Sequence, residues 1–355
     1  MKKVLLCMGA VLCVVAALFL GLSGCRLIAA TDGYVIDAKT GEGIAGATVI
    51  MDSLDSADKF ETGTDADGYY LFDSYKQGRY ELTASLTGKI FTKQVVEVTG
   101  IAQTLPNIGG FKTTNDLTIV VFWDRDFADV DAYMTAPDLN YGPAAVVSSD
   151  FYSGTASNAK FFPGAAGRPK VYYDTPILGA GDGDITLDVD NQGQTDQQKG
   201  GPETITVAWI PFPAIYTGSN IYTADAGDPS KLPAGNYNWV GVLEYYLDAF
   251  TSTNTSATGP GTYEADAMLA SVGGVTKTAN PVVYVFVNGA QAARYTLPQF
   301  TDIKTASVLR VNMFVDSDNA QWFQILPDTK AYKDSGSIKS LQDSGIIVVG
   351  GKSRR

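Results

Sequence analysis

Five acidic residues stand at spacings that can do chemistry. Asp129 and Asp131 are separated by one residue, Asp188 and Asp190 repeat that spacing, and Glu203 follows Gly201-Pro202. Alternate residues of a β-strand share a face, so each pair projects two carboxylates the same way. If the two strands meet at one edge with Glu203 nearby, the set offers hard oxygen ligands to Ca²⁺, which takes roughly six to eight from carboxylates, carbonyls and water. Packed together without a cation, such groups repel or must hold protons. Paired carboxylates also serve glycosidases as acid and base, at separations of about 5–10 Å. A third reading leaves all five as turn and strand-end acids on a solvated surface.

What is missing narrows the field. The 355 residues include no histidine, which removes Ser-His-Asp and Cys-His catalysis and histidine-ligated zinc together. No catalytic residue is assigned and no enzyme activity is expected. A net charge of −12 disfavours nucleic acid, whose phosphates need basic grooves. Apolar residues make up 45% and charged residues 18%, enough to bury cores in two or three domains. With 37 glycines, 19 tyrosines and 16 phenylalanines, the composition favours strands and turns over helices.

The elements that must position these acids start behind a leader. Lys2 and Lys3 precede an almost wholly apolar run from Val4 to Leu22, and Leu22-Ser23-Gly24 stands before Cys25. Small residues at that point fit a secretory signal of residues 1–24 better than a spanning helix, although the run approaches span length. The Leu-Ser-Gly-Cys ending resembles the lipobox of bacterial lipoproteins. That resemblance implies cleavage before Cys25, a lipid on its sulfur and an added acyl chain (palmitate among the candidates) on its amino group. Cys7 and Cys13 leave with the signal, so lipidation of Cys25 removes the last thiol and no disulfide can form. The expected location is the cell envelope, anchored to a membrane. Arg26 follows the cysteine; with no Asp there, lipoprotein sorting favours the outer membrane if the cell is Gram-negative.

After a short tether (25–31), residues 32–106 alternate strand and turn signals. Tyr80 to Leu86 alternates apolar and polar residues, the period of a half-buried strand. Asp65-Ala66-Asp67-Gly68 looks like the opening of a calcium loop but lacks its later ligands, and reads as a hairpin turn. Lys39-Thr40-Gly41, Ser56 to Lys59 and Ser317-Asp318-Asn319 spell serine β-lactamase motifs in the wrong order, a coincidence. The order Gly33-Tyr34-Val35-Ile36-Asp37, Gly46-Ala47-Thr48-Val49, Thr64 to Phe72 and Gly78-Arg79-Tyr80 resembles the carboxypeptidase regulatory-like domain. The resemblance implies a transthyretin-like β-sandwich that acts as a spacer, folding aid or binding platform.

Residues 107–115 read as a linker, 116–330 as a larger β-domain and 331–355 as a C-terminal tail. Within the tail, Ile346-Ile347-Val348-Val349 can add an edge strand, and Gly350 to Arg355 is expected to fray. Leu117 to Trp123 is a core-strand run, and Asn288-Gly289 between Pro281–Val287 and Gln291–Leu297 is a type I′ hairpin signal. Trp123 before Asp129-x-Asp131, Asp188-x-Asp190 leading to Gly201-Pro202-Glu203, Gly235-x-Tyr237, the 281–289 hairpin and Trp322 together resemble the YfaP-like secreted bacterial β-domains. Where that family has Leu-His-Val after the paired acids, this chain has Ala132-Tyr133-Met134. Tyr141–Gly167 and Thr251–Gly261 are loop-rich stretches, the first carrying aromatics suited to stacking on sugars or packing on the sandwich.

The fold expected is therefore all-β, a transthyretin-like sandwich followed by a larger sandwich or jelly-roll-like domain. The function expected is a non-enzymatic envelope lipoprotein that binds a carbohydrate or protein partner, with calcium as a candidate ligand. The alternatives are an envelope hydrolase using paired carboxylates and an assembly component recruiting a partner by strand addition.

Overall fold

The computed structural model describes residues 30–112, 117–125, 129–135, 170–171, 177–178, 185–191, 195–208, 221–224, 232–250, 269–272, 275–278, 280–297, 305–318, 320–327, 331–332, 338–339 and 347–353. The leader and Cys25 lie outside the described residues, as do the Tyr141–Gly167 and Thr251–Gly261 stretches. Every regular element among the described residues is a strand, so the chain is all-β.

The first lobe comprises β1 (Thr31–Asp37), β2 (Thr48–Ser53), β3 (Lys59–Gly63), β4 (Tyr69–Phe72), β5 (Gly78–Ser85), β6 (Lys89–Phe91), β7 (Gln94–Val98), β8 (Gln103–Thr104) and β9 (Ile108–Lys112). One sheet runs β3-β2-β5-β7; the other runs β4-β1-β9-β6 with β8 also beside β1. Between them lie Val35, Val49, Met51, Tyr70, Phe72, Tyr80, Leu82 and Val96. The alternation in β5 is realised: Tyr80, Leu82 and Ala84 are buried and their neighbours are not. The calcium-like tetrad is a turn, in which the Asp65 carboxylate accepts the N–H groups of Asp67 and Tyr69.

The stretch read as a linker contains β9. It pairs in parallel with β1 and antiparallel with β6, so it closes the first lobe. Its Ile-Gly-Gly-Phe sequence hid the strand, because two glycines in a row look like a connector. They are there for close approach: a Cβ on Gly109 would lie 2.6 Å from the ring of Phe122.

The second lobe comprises β10 (Leu117–Phe122), β11 (Asp129–Thr135), β12 (Lys170–Val171), β13 (Ile177–Leu178), β14 (Ile185–Val189), β15 (Glu203–Val207), β16 (Ile221–Ala224) and β17 (Gly235–Phe250). It continues with β18 (Leu269–Val272), β19 (Val275–Thr278), β20 (Val282–Val287), β21 (Ala290–Thr296), β22 (Thr305–Val315), β23 (Ala320–Pro327), β24 (Ala331–Tyr332), β25 (Ile338–Lys339) and β26 (Ile347–Ser353). A six-stranded sheet has the order β13-β14-β15-β10-β20-β21, and the path of a larger sheet is β12-β11-β17-β22-β23-β26. The hairpin turn is as expected, with Asn288 at φ 52° and Gly289 at φ 74°. The C-terminal segment differs from expectation in its last residues. Strand β26 runs through Gly350 to Ser353 and pairs with β23, whose outer edge it covers.

Two strands explain how the lobes join. β10 is buried at all six positions. Leu117, Ile119 and Val121 face the large core, together with Ile205, Val283, Val285, Val130, Leu247, Val311 and Ile325. Val120 and Phe122 face the other way and join Tyr284 and Phe286 of β20 against Ala38 and Phe111 of the first lobe. A strand buried on both faces loses its polar alternation, and that is why Leu117–Phe122 reads as one apolar run. Phe111 meets Phe286 edge-on at 4.4 Å between ring centroids. The Tyr284 hydroxyl donates to the Lys93 carbonyl at 3.1 Å.

Because the lobes share a buried cluster, they should unfold together. Scanning calorimetry of the whole chain is expected to show one transition. Phe122→Ala should cost about 3–5 kcal/mol and split the transition in two. Two transitions in the unaltered chain would show that the lobes are energetically independent.

Candidate functional site

Asp129 and Asp131 lie at the start of β11, and Glu203 is the first residue of β15. The two strands belong to different sheets, and the three acids meet where β11 approaches β15. One carboxylate oxygen from each lies within 4.8 Å of the others. All three residues are less than a tenth exposed, Glu203 only 1%. The N–H of Ala132 donates to Glu203 Oε2 at 2.5 Å, which fixes one oxygen of that carboxylate against β11. Its other oxygen, Oε1, has no hydrogen-bond partner, and neither has Asp129 Oδ1.

The environment acts on these acids in one direction. Burial first, then the charges of Asp131 and Asp190, push the Asp129 carboxyl up to about 9. Burial first, then Asp131 and Asp129, push the Glu203 carboxyl well above the usual carboxylate range, against the lowering effect of the Ala132 N–H. Tyr245 of β17 is fully buried with an unpartnered hydroxyl; burial pushes that hydroxyl up, and the Glu203 charge adds to the push. Burial and mutual repulsion thus drive the metal-free Asp129 and Glu203 carboxyls toward their protonated forms. A cation is the alternative way to relieve the same repulsion.

The Glu203 carboxylate is positioned from the first lobe. The Asn107 side-chain amide donates to the carbonyls of Gln197, Lys199 and Gly201 at 3.0, 3.0 and 3.1 Å. Its oxygen accepts from Arg125 at 2.7 Å, and Arg125 also donates to the Asp196 carbonyl at 2.6 Å. The Arg125 guanidinium covers the Tyr34 ring, 5.4 Å from its centroid. Residues 195–201 are thus held from two sides before the chain enters β15. Gly200 and Gly201 have φ of 84° and 95°, and a Cβ on Gly201 would meet the Val121 carbonyl at 2.9 Å, so the approach demands glycine.

The second acidic pair does not join as a pair. A bulge between Leu187 and Val189 shifts the register of β14 against β15. The equal facing expected from the spacing of Asp188 and Asp190 needs an unbroken strand, and a bulge removes it. Asp188 accepts from the Thr206 hydroxyl of the adjacent β15 at 2.5 Å and stands 4.0 Å from the Lys39 ammonium of the first lobe. Asp190 is exposed just beyond β14, near enough for its charge to act on Asp129 and Glu203. Asn107, Arg125 and Tyr245 escaped the sequence reading. Asn107 lies in the 107–115 stretch, whose composition reads as a linker, and Tyr245 looks like any other core aromatic of an alternating strand.

Fold and site together describe a two-lobed β-protein with an acid cluster buried between its strands. Residues 31–108 match the carboxypeptidase regulatory-like domain, so the chain contains that domain at its first lobe. No curated protein matches the chain by sequence. Among solved structures, the chain is similar to the major pilin subunit BcpA of Bacillus cereus, 11% identical over 91% of this chain and 95% of that one, with a TM-score of 0.21. It is also similar to the full-length major pilin SpaD of Corynebacterium diphtheriae, 11% identical over 88% and 90%, with a TM-score of 0.20.

The raised carboxyls set a pH dependence for the metal-free protein. Asp129 binds its proton up to about pH 9 when folded and releases it near its ordinary 3.8 when unfolded. Stability from that proton is complete at low pH and is lost as pH rises through this window. In excess chelator, the melting temperature is expected to fall between about pH 5 and about pH 9. A flat or rising profile would mean that Asp129 does not hold its proton in this range.

Proposed function

We propose that this chain is a lipid-anchored, non-enzymatic lipoprotein of the cell envelope, presenting two joined β-lobes to a carbohydrate or protein partner. The observation that carries the reading is the Leu22-Ser23-Gly24-Cys25 ending of the apolar leader, with strand β1 starting at Thr31. Six residues from Cys25 to Thr31 reach at most about 20 Å, so the anchor would hold the first lobe close to the membrane. The second lobe, fixed to the first through Phe111, Phe122, Tyr284 and Phe286, would then be the outward part. A YfaP-like second domain is in keeping with this arrangement.

Two observations support this reading over its alternatives. The closed packing of Asp129, Asp131 and Glu203 leaves no room for a sugar between two carboxyls, as a glycosidase requires. Edge strand β3 carries Lys59 and Glu61, which pair at 2.7 Å, so that edge of the first lobe resists strand addition.

The test has two parts. The chain expressed in a bacterium should incorporate labelled palmitate and enter the detergent phase, whereas Cys25→Ala should incorporate none. Mature protein with a free Cys25 thiol would remove the anchor. The purified chain, screened on a glycan array and as bait against envelope extracts, should retain a ligand without turning it over. Hydrolysis of a bound glycan would overturn the non-enzymatic assignment.

A further inference from the structure

Two kinds of buried, unpartnered oxygen converge between β11 and β15. Glu203 Oε1 and Asp129 Oδ1 lack hydrogen-bond partners although their residues are nearly enclosed. The Tyr245 hydroxyl, fully buried beside Glu203, lacks one too. A buried oxygen without a partner costs about 1–3 kcal/mol, and more when charged. Native structures do not commonly keep three such oxygens together unless something satisfies them.

We propose that Asp129, Asp131 and Glu203 bind a single calcium ion that clamps the second lobe's two sheets together. The geometry supports calcium. Oxygens on opposite sides of one Ca²⁺, at about 2.3–2.6 Å each, stand about 5 Å apart, and the three carboxylate oxygens lie within 4.8 Å of one another. The donor set is all oxygen, with no histidine anywhere in the chain, and hard oxygen ligands select Ca²⁺ over zinc or copper. Asp190, exposed beside the cluster, marks the side from which an ion enters and water completes the shell. The unpartnered Tyr245 hydroxyl, within reach of the Glu203 charge, would bond such a water. The ion would tie β11 of one sheet to β15 of the other across the mouth of the large core. The clamp stands independently of the lipid anchor, since no residue of the leader takes part in it.

Calorimetric titration of the whole chain, stripped with chelator and dialysed, tests the assignment. Calcium chloride should bind once per chain, and the melting temperature should rise by several degrees between excess chelator and millimolar Ca²⁺. Terbium should bind competitively with Ca²⁺ and show emission sensitised by Trp123, whose ring packs against Gly201. Glu203→Gln and Asp129→Asn should each weaken Ca²⁺ by tenfold or more. Asp190→Asn, an exposed change that leaves the core intact, should weaken it severalfold, and Asp188→Asn should leave it unchanged. No heat and no thermal shift in the unaltered chain would overturn the proposal, whatever the variants do. So would calcium binding that is indifferent to Asp129, Glu203 and Asp190. Preferential binding of Mg²⁺ or Zn²⁺ would overturn the choice of calcium.

Discussion

The structure depends on a sheet that is buried on both faces. Strands β10 and β20 give their odd-numbered residues to the large core and their even-numbered residues to the first lobe. Neither lobe is complete without this sharing. Removing the first lobe would expose Phe122, Tyr284 and Phe286 on one continuous face, the kind of apolar patch that soluble monomers rarely leave open. The carboxypeptidase regulatory-like domain is therefore more than a spacer here: it covers the six-stranded sheet.

The same contact reaches the acid cluster. Asn107, at the foot of β9, grips the backbone of 195–201, and Arg125 braces that grip while lying over Tyr34. The chain then passes Pro202 and delivers Glu203 into the crevice. Glu203 is held by Ala132 on the far side. A side chain from the first lobe thus sets where a carboxylate of the second lobe lies. Strain or motion at the junction would be felt at the cluster through three carbonyls and one amide.

Much of this was legible in the sequence because local signals agreed with the global fold. The alternation of Tyr80–Leu86 and the turn chemistry of Asp65–Gly68 each led to the element found, and Asn288-Gly289 did the same for its hairpin. Asp129, Asp131 and Glu203 were singled out by type and spacing, and they do meet. Asp188 does not join them, because a bulge is a property of two paired strands and leaves no mark in one. Strand β9 was hidden behind its glycines, whose purpose is visible only once Phe122 is seen against them. Asn107 and Tyr245 act through partners about a hundred residues away in one case and across the core in the other, and no local pattern encodes such contacts.

One topological detail has a mechanical side. Strands β1 and β9 run in parallel, with Val35, Ile36 and Asp37 in register with Ile108, Gly109 and Gly110. The polypeptide enters the protein at the start of β1 and leaves for the second lobe from the end of β9. Tension applied between those two points pulls the pair along its length, loading all its backbone bonds in shear at once instead of peeling them one by one. A pull between the start of the first lobe and the second lobe would meet the stiffest direction that a pair of strands possesses.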